Sequence, residues 1–260
     1  MIKYSGVLTG IVFCSALLTS ISYADVKAVD KQQVQLLAPG YGDLSFEAPM
    51  VGSYQLPAIG KAKDAKVLNT DNEYVTFHDT FDKKYTVLSF MYTHCDDING
   101  CPLTNVVFNR VKSEMAKTPE LTKRMQLISM SFDPKNDTPA VLKKISMGGM
   151  DHSDHEDHDM SQMNHDMEHN MPSNDVADMQ WHYLTADSQE SLMPILDDYN
   201  QAIQIRTDEK GKQTSSFSHI LRVYLIDPEN NIRNIYSPSF LHPDILINDI
   251  KTLISQEKNN

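Results

Sequence analysis

The 260-residue chain carries 35 acidic and 23 basic residues, a formal net charge of −12, with 40% hydrophobic and 22% charged positions. So negative a balance excludes nucleic acid and anionic lipid as favoured partners, because both repel an acidic surface. The length left after any leader can bury one good core, and a second domain is not required.

Residues 1–24 read as a secretory signal peptide: one charge at Lys3, an apolar stretch from Val7 to Leu18, and Ser22-Tyr23-Ala24 as a small-x-small cleavage pattern. An uncleaved membrane anchor is the rival reading, although the apolar stretch is short for a span. Cys14 and Lys3 leave with the peptide, so the charge of −12 becomes −13. Cys95 and Cys101 are then the cysteines of the exported chain, in a compartment where disulfides form. Residues 25–66 contain Pro39, Pro49, Pro57 and four glycines without sustained periodicity. They read as an extended arm laid over the domain by Leu36, Tyr41, Phe46 and Tyr54, or as a mobile linker. The domain proper is expected over residues 67–260.

Tyr74–Phe77 is a short expected strand and Asp79–Lys84 a turn. Tyr85–Tyr92 is β-branched and aromatic, a run suited to a strand buried on both faces. It leads through Thr93-His94-Cys95 and a polar loop to Cys101-Pro102, where proline fits the first turn of a helix. Leu103, Val106, Val107, Val111 and Met115 then recur three and four apart until Thr118-Pro119. The two cysteines thus flank a strand-to-helix turn, a thioredoxin-like position where helix N-terminal amides favour a thiolate. Met125–Phe132 is a second buried strand. After Asp133-Pro134 a helix follows, with Thr138 as cap, Pro139 in its first turn, and Val141, Leu142 and Ile145 facing inward.

Composition then changes. Residues 147–180 hold five histidines, seven methionines and nine acids, with no lysine or arginine, and are expected to be a disordered insertion. Thioether sulfur suits Cu(I), imidazole suits Cu(II) or zinc, and carboxylates attract either cation. His152, His155, His158, Met160, Met163, His165, Met167, His169 and Met171 are therefore candidates for secondary metal capture, against the alternative of a solvated loop. Order is expected to resume with a strand at Trp181–Thr185. A helix over Ser188–Asn200 follows, with Pro194 early in it or kinking it. Ile203–Arg206 and Ile220–Ile226 read as strands joined by a polar loop. Asp227–Asn231 turns into a strand at Ile232–Tyr236, and Pro243 opens a last helix with Ile247, Ile250 and Ile254 on one face. The pattern is an α/β three-layer sandwich with a late β-hairpin.

Four signatures resemble the Sco (SenC) family in order and spacing, from Tyr74 to Ser255. They are Phe90-Met91-Tyr92-Thr93-His94-Cys95, Cys101-Pro102, Ser131-Phe132-Asp133-Pro134 with Asp137-Thr138-Pro139, and Ser218-His219 ahead of Val223–Pro228. The resemblance implies a thioredoxin-like fold and a copper site at Cys95, Cys101 and His219. It also implies delivery of copper to cytochrome c oxidase subunit II, or reduction of its cysteines. The compartment is the periplasm or mitochondrial intermembrane space; with the export signal, this chain is expected in the periplasm. One departure stands out: five residues, Asp96–Gly100, separate cysteines that the family usually spaces by three. The longer loop can still bring both sulfurs to one metal or to each other, with Gly100 helping it turn, and it adds two acids beside the site.

Two thiolates and an imidazole form a soft set suited to Cu(I) and, with a fourth ligand, to Cu(II); zinc accepts the same set. An ordinary structural disulfide and a strand-capping histidine are the bland alternatives. His94 is expected to tune or shield Cys95, and Asp133 to be a turn residue near the site. His78, His182 and His242 carry no signal. Three function classes follow: a copper metallochaperone, a thiol–disulfide oxidoreductase using Cys95 and Cys101 with a protein exchange partner and no obligatory copper, and a copper buffer acting through residues 147–180.

Overall fold

The computed structural model describes residues 36–148, 179–208 and 210–257. The expected signal peptide and the candidate metal-capture residues from His152 to Met171 lie outside these residues. The chain runs from a 3-10 turn at Pro39–Tyr41 into β1 (Gly60–Lys61), β2 (Lys66–Leu68), β3 (Tyr74–Thr76) and α1 (Phe77–Phe81). Next come β4 (Tyr85–Met91), α2 (Cys101–Ala116), α3 (Pro119–Thr122), β5 (Met125–Ser131) and α4 (Pro139–Ser146). The last part holds β6 (Trp181–Leu184), α5 (Gln189–Asp198), β7 (Ile203–Thr207), β8 (Gln213–His219), β9 (Val223–Ile226), β10 (Asn231–Tyr236) and α6 (Pro243–Glu257).

Six strands form one sheet in the order β1-β10-β9-β4-β5-β6, with β4, β5 and β6 parallel and β9 antiparallel to β4. The apolar runs read from the sequence are strands buried on both faces. Along β4, Tyr85 and Val87 face one layer while Leu88 and Phe90 face the other. Met125 and Leu127 alternate in the same way with Ile128 and Met130 along β5. The first layer is closed by α2 and α6 through Val107, Phe108, Val111, Ile250 and Leu253. Phe77, Phe81, Leu142, Leu192 and Leu196 from α1, α4 and α5 close the second. Each such fully buried side chain contributes about 1.5–3 kcal/mol relative to exposure, which is why strands apolar on both faces demand a layer on each side. The three-layer α/β sandwich is the observed architecture.

Several local expectations need correction. Residues 37–66 of the arm are integral to the domain, and Phe46 does not anchor them, at 54% exposed. Their attachments are backbone groups and tyrosines: Tyr54 donates to Asp249 Oδ1 at 2.5 Å, and β1 joins the sheet edge beside β10. The turn expected over Asp79–Lys84 begins inside α1, and Asp82 and Lys83 take left-handed conformations with φ of 48° and 51°. Val106, Val141 and Ile145 are only half-buried. The polar loop expected after β7 is largely β8, which pairs with β7 in a separate hairpin through Ile203↔His219 and Ile205↔Phe217. A backbone ladder needs no apolar side chains, so Gln213 and Thr214 gave no periodic cue. Ile220 is 55% exposed, and the following strand starts only at Val223. Met179, assigned to the insertion, is 2% exposed, and Gln180 accepts the Leu127 amide at 2.9 Å. Met179 and Gln180 therefore belong to the packed structure.

Candidate functional site

The C-terminal end of β4 carries the chain off the sheet at Tyr92, and α2 begins at Cys101. Both cysteines are free thiols, Cys95 half-buried and Cys101 buried. The neighbouring Cys101 thiol, with help from the Cys101 and Asp97 amides, brings Cys95 down from its ordinary 9.0 to about 6, against burial and the charge of Asp97. Cys101 moves upward for the complementary reason: it neighbours the Cys95 sulfur, is buried, and faces the Cys95 charge. The accessible sulfur is thus the more acidic of the pair, and the buried one the less acidic. Gly100, at φ −96°, needs no left-handed backbone; a Cβ there would lie 3.2 Å from Cys95 Sγ and 3.1 Å from the Asp97 carbonyl oxygen. Its role is space for the sulfur.

His219 closes β8, and the β7–β8 hairpin is docked onto the residues that end β4 and β5. Tyr92 packs on Phe132 and Phe217 with ring centroids 5.1 Å apart in each case, and Phe132 lies 4.9 Å from the His219 ring. The Phe217 amide donates to the Tyr92 hydroxyl at 3.3 Å. Between these rings His219 Nε2 is buried and has no hydrogen-bond partner among the described residues. Burial lowers the imidazole below its ordinary 6.5; Asp97, in the cysteine loop, pulls it up and Arg206 pushes it down. A neutral ring with a shielded, unpartnered nitrogen is the state in which imidazole binds metal. Arg206 also pairs with Asp96 at 3.5 Å, so hairpin and cysteine loop touch through their charges. The structure therefore brings Cys95 and Cys101 together and sets His219 at the same end of the fold. Among the described residues, no group of three or more His, Cys, Asp or Glu side chains is gathered closely enough to hold a metal ion.

One functional-site residue was not singled out from the sequence. The Asp137 carboxylate is fully buried and accepts from the Thr93 amide at 3.1 Å, from Ser131 Oγ at 2.5 Å and from the Thr93 hydroxyl. It is raised chiefly by burial, partly offset by these donors, and its charge bears on Cys101. It ties the start of the cysteine loop to the end of β5. Its polar neighbours Asn136 and Thr138 hide this burial, and only the family motif pointed to it. Asp133 is the turn residue expected, accepting from Asn136 Nδ2 at 2.7 Å. His94 is exposed, with Nδ1 3.1 Å from Thr93 Oγ1. His78 and His242 serve backbone carbonyls of the arm, at Ala62 and Gly42, and burial lowers His182.

Residues 62–151 match the SCO1/SenC family model, a segment that includes both cysteines, Asp133 and Asp137 and ends before His219. No curated protein matched the chain. Among solved structures, copper-bound ScoI from Arabidopsis thaliana is similar with a TM-score of 0.55 and 20% identity, over 76% of this chain and 99% of that one. A SCO1/SenC family lipoprotein from Bacillus anthracis gives 0.54 and 22%, over 77% and 99%. Apo Sco1 from Thermus thermophilus gives 0.54 and 19%, over 79% and 97%. The thioredoxin-like fold and the Sco (SenC) resemblance read from the motifs are both borne out.

Proposed function

From the Sco-like fold and its thiol pair, we propose that this protein is an exported copper metallochaperone that carries the metal as cargo at Cys95, Cys101 and His219. The observation that carries the reading is the contact between a depressed, accessible Cys95 and a buried Cys101 at the start of α2. The unpartnered His219 nitrogen supports it, because a buried acceptor left unpaired costs about 1–3 kcal/mol that a bound cation would offset. The similarity to a copper-bound ScoI supports copper as the metal; the donor set itself also accepts zinc. Capture closes the set by bringing the β7–β8 hairpin and the cysteine loop together. Near neutral pH it releases the Cys101 proton, since Cys95 is already ionised and His219 already neutral. The recipient is a copper enzyme of the periplasm, with cytochrome c oxidase subunit II the partner that the family points to. Export rests on residues 1–24; no described helix is long and apolar enough to cross a membrane.

A second reading is favoured by the same asymmetry. An accessible thiolate backed by a buried thiol suits attack on a partner's disulfide followed by resolution, so the protein would act as an oxidoreductase on its recipient's cysteines. Copper titration of the reduced mature protein beside a Cys95→Ala/Cys101→Ala variant separates the two. The metallochaperone reading expects one tight equivalent with sulfur-to-Cu(II) charge-transfer absorption, lost in the variant. Unchanged absorption in the variant refutes it.

A further inference from the structure

We infer that the N-terminal arm is a clamp that sets the geometry of the thiol pair, with Tyr41 and Asn99 as its positioning residues. The inference rests on the reading of Cys95 and Cys101 as the functional pair. The 3-10 turn Pro39–Tyr41 is fixed on α2 at close range: a Cβ on Gly40 would fall 2.3 Å from the Leu241 carbonyl oxygen and 2.9 Å from Val107 Cγ2. Arg110 Nη1 locks the turn by donating to the Gly40 and Gly42 carbonyls at 3.1 and 2.8 Å. From this platform two hydrogen bonds reach the cysteine spacer. The Ala38 amide donates to Asn99 Oδ1 at 2.8 Å, and the Tyr41 hydroxyl donates to the Ile98 carbonyl.

The loop passes this restraint on to the sulfur. The Asn99 amide donates to Asp97 Oδ1 at 3.0 Å and the Gly100 amide to the Asp97 carbonyl at 2.8 Å. That turn sets Gly100 beside Cys95 Sγ, which a Cβ at position 100 would meet at 3.2 Å. The negative charges of Asp97 and Cys95 also bear on the Tyr41 hydroxyl, which is raised first by burial. A longer spacer costs more entropy to hold in one closed geometry, and the arm offsets that cost by fastening its middle. Without the clamp, the Ile98–Asn99 segment samples more positions, and each thiol sees a lower effective concentration of the other.

The test measures the Cys95–Cys101 disulfide equilibrium of the metal-free mature protein against glutathione. Oxidised glutathione takes two electrons and two protons from the thiols, leaving as two glutathione molecules while the intramolecular S–S bond forms. Tyr41→Phe and Asn99→Ala should each lower the equilibrium constant about three- to tenfold, the worth of one hydrogen bond. Tyr54→Phe removes the arm's bond to Asp249, away from the loop, and should leave the constant at the wild-type value. Wild-type constants in both Tyr41→Phe and Asn99→Ala overturn the clamp. So does an equal fall in Tyr54→Phe, which would mean general loosening of the arm. No copper enters the assay, so loss of copper binding and loss of the clamp register separately.

Discussion

Replacing Cys101 with alanine isolates what holds the Cys95 thiolate. The Cys101 thiol is the largest influence lowering Cys95 to about 6, while the Cys101 and Asp97 amides survive the substitution. Losing that thiol leaves burial and the Asp97 charge opposing the amides, so Cys95 should return toward its ordinary 9.0. A complete return would take the thiolate fraction at pH 7 from about nine-tenths to about one-hundredth. The alkylation rate should fall much less. With a nucleophilicity slope near 0.45, three pH units make each remaining thiolate about twentyfold more reactive, so the net loss is only about four- to fivefold. The informative quantity is therefore the midpoint of the pH profile, followed as alkylation of the Cys95 peptide by mass spectrometry in chelated buffer. The wild-type midpoint should lie near 6 and the variant's more than a unit higher. Coincident midpoints would show that Cys101 does not stabilise the thiolate.

His219→Phe should stabilise the metal-free protein by about 1–3 kcal/mol, because it removes a buried unpaired nitrogen from an aromatic cluster, and it should weaken copper binding. The wild type should also lose stability as pH falls from the ordinary 6.5 toward the lowered folded value, since the unfolded chain there takes a proton that the buried ring refuses. Urea titrations at neutral and acidic pH check both; a less stable variant would refute the orphan-nitrogen argument. Deleting residues 149–178 while keeping the buried Met179 should leave one tight copper and remove weaker equivalents. Imidazole contributions should fade near pH 5 and thioether ones persist. Equal stoichiometry with and without the segment, at both pH values, would leave it as a solvated loop.

The layers of the fold were legible because burial leaves a periodic trace. Tyr85–Met91 and Met125–Ser131 are apolar on both faces, and the α2 stripe marks its covered side. Thr138 and Pro139 announced their helix through local capping chemistry, which the Thr138 Oγ1 bond to the Val141 amide bears out. What the sequence concealed was held by backbone groups or by close approach. Nothing in a string of residues says that Gly40 meets Leu241, or that Asn99 is gripped by the Ala38 amide. The hairpin bearing His219 was half-hidden for the same reason: its ladder joins backbone to backbone while its exposed side chains look like a loop. At the site itself, residue types and order pointed to the cysteines, but their unequal acidity depends on contacts across the turn.

The widened spacer gives those contacts opposing electrostatic work. Asp97 raises the cost of ionising Cys95, yet the thiol is still depressed, so the Cys101 thiol and the Cys101 and Asp97 amides outweigh the carboxylate. The same negative charge attracts an incoming cation and draws the His219 imidazole upward. Asp96 is partly neutralised by Arg206, an exposed pair worth about 0–1 kcal/mol, so it can yield without serious cost when the hairpin shifts. Acids in this loop therefore impose a modest penalty on the empty thiolate and repay it only once a cation is present. In the proposed metal site that difference would favour the metal-bound state over a bare thiolate, and the proposed clamp would keep the spacer in place for it. A loop free to swing would carry Asp97 away from the sulfur and lose both effects together.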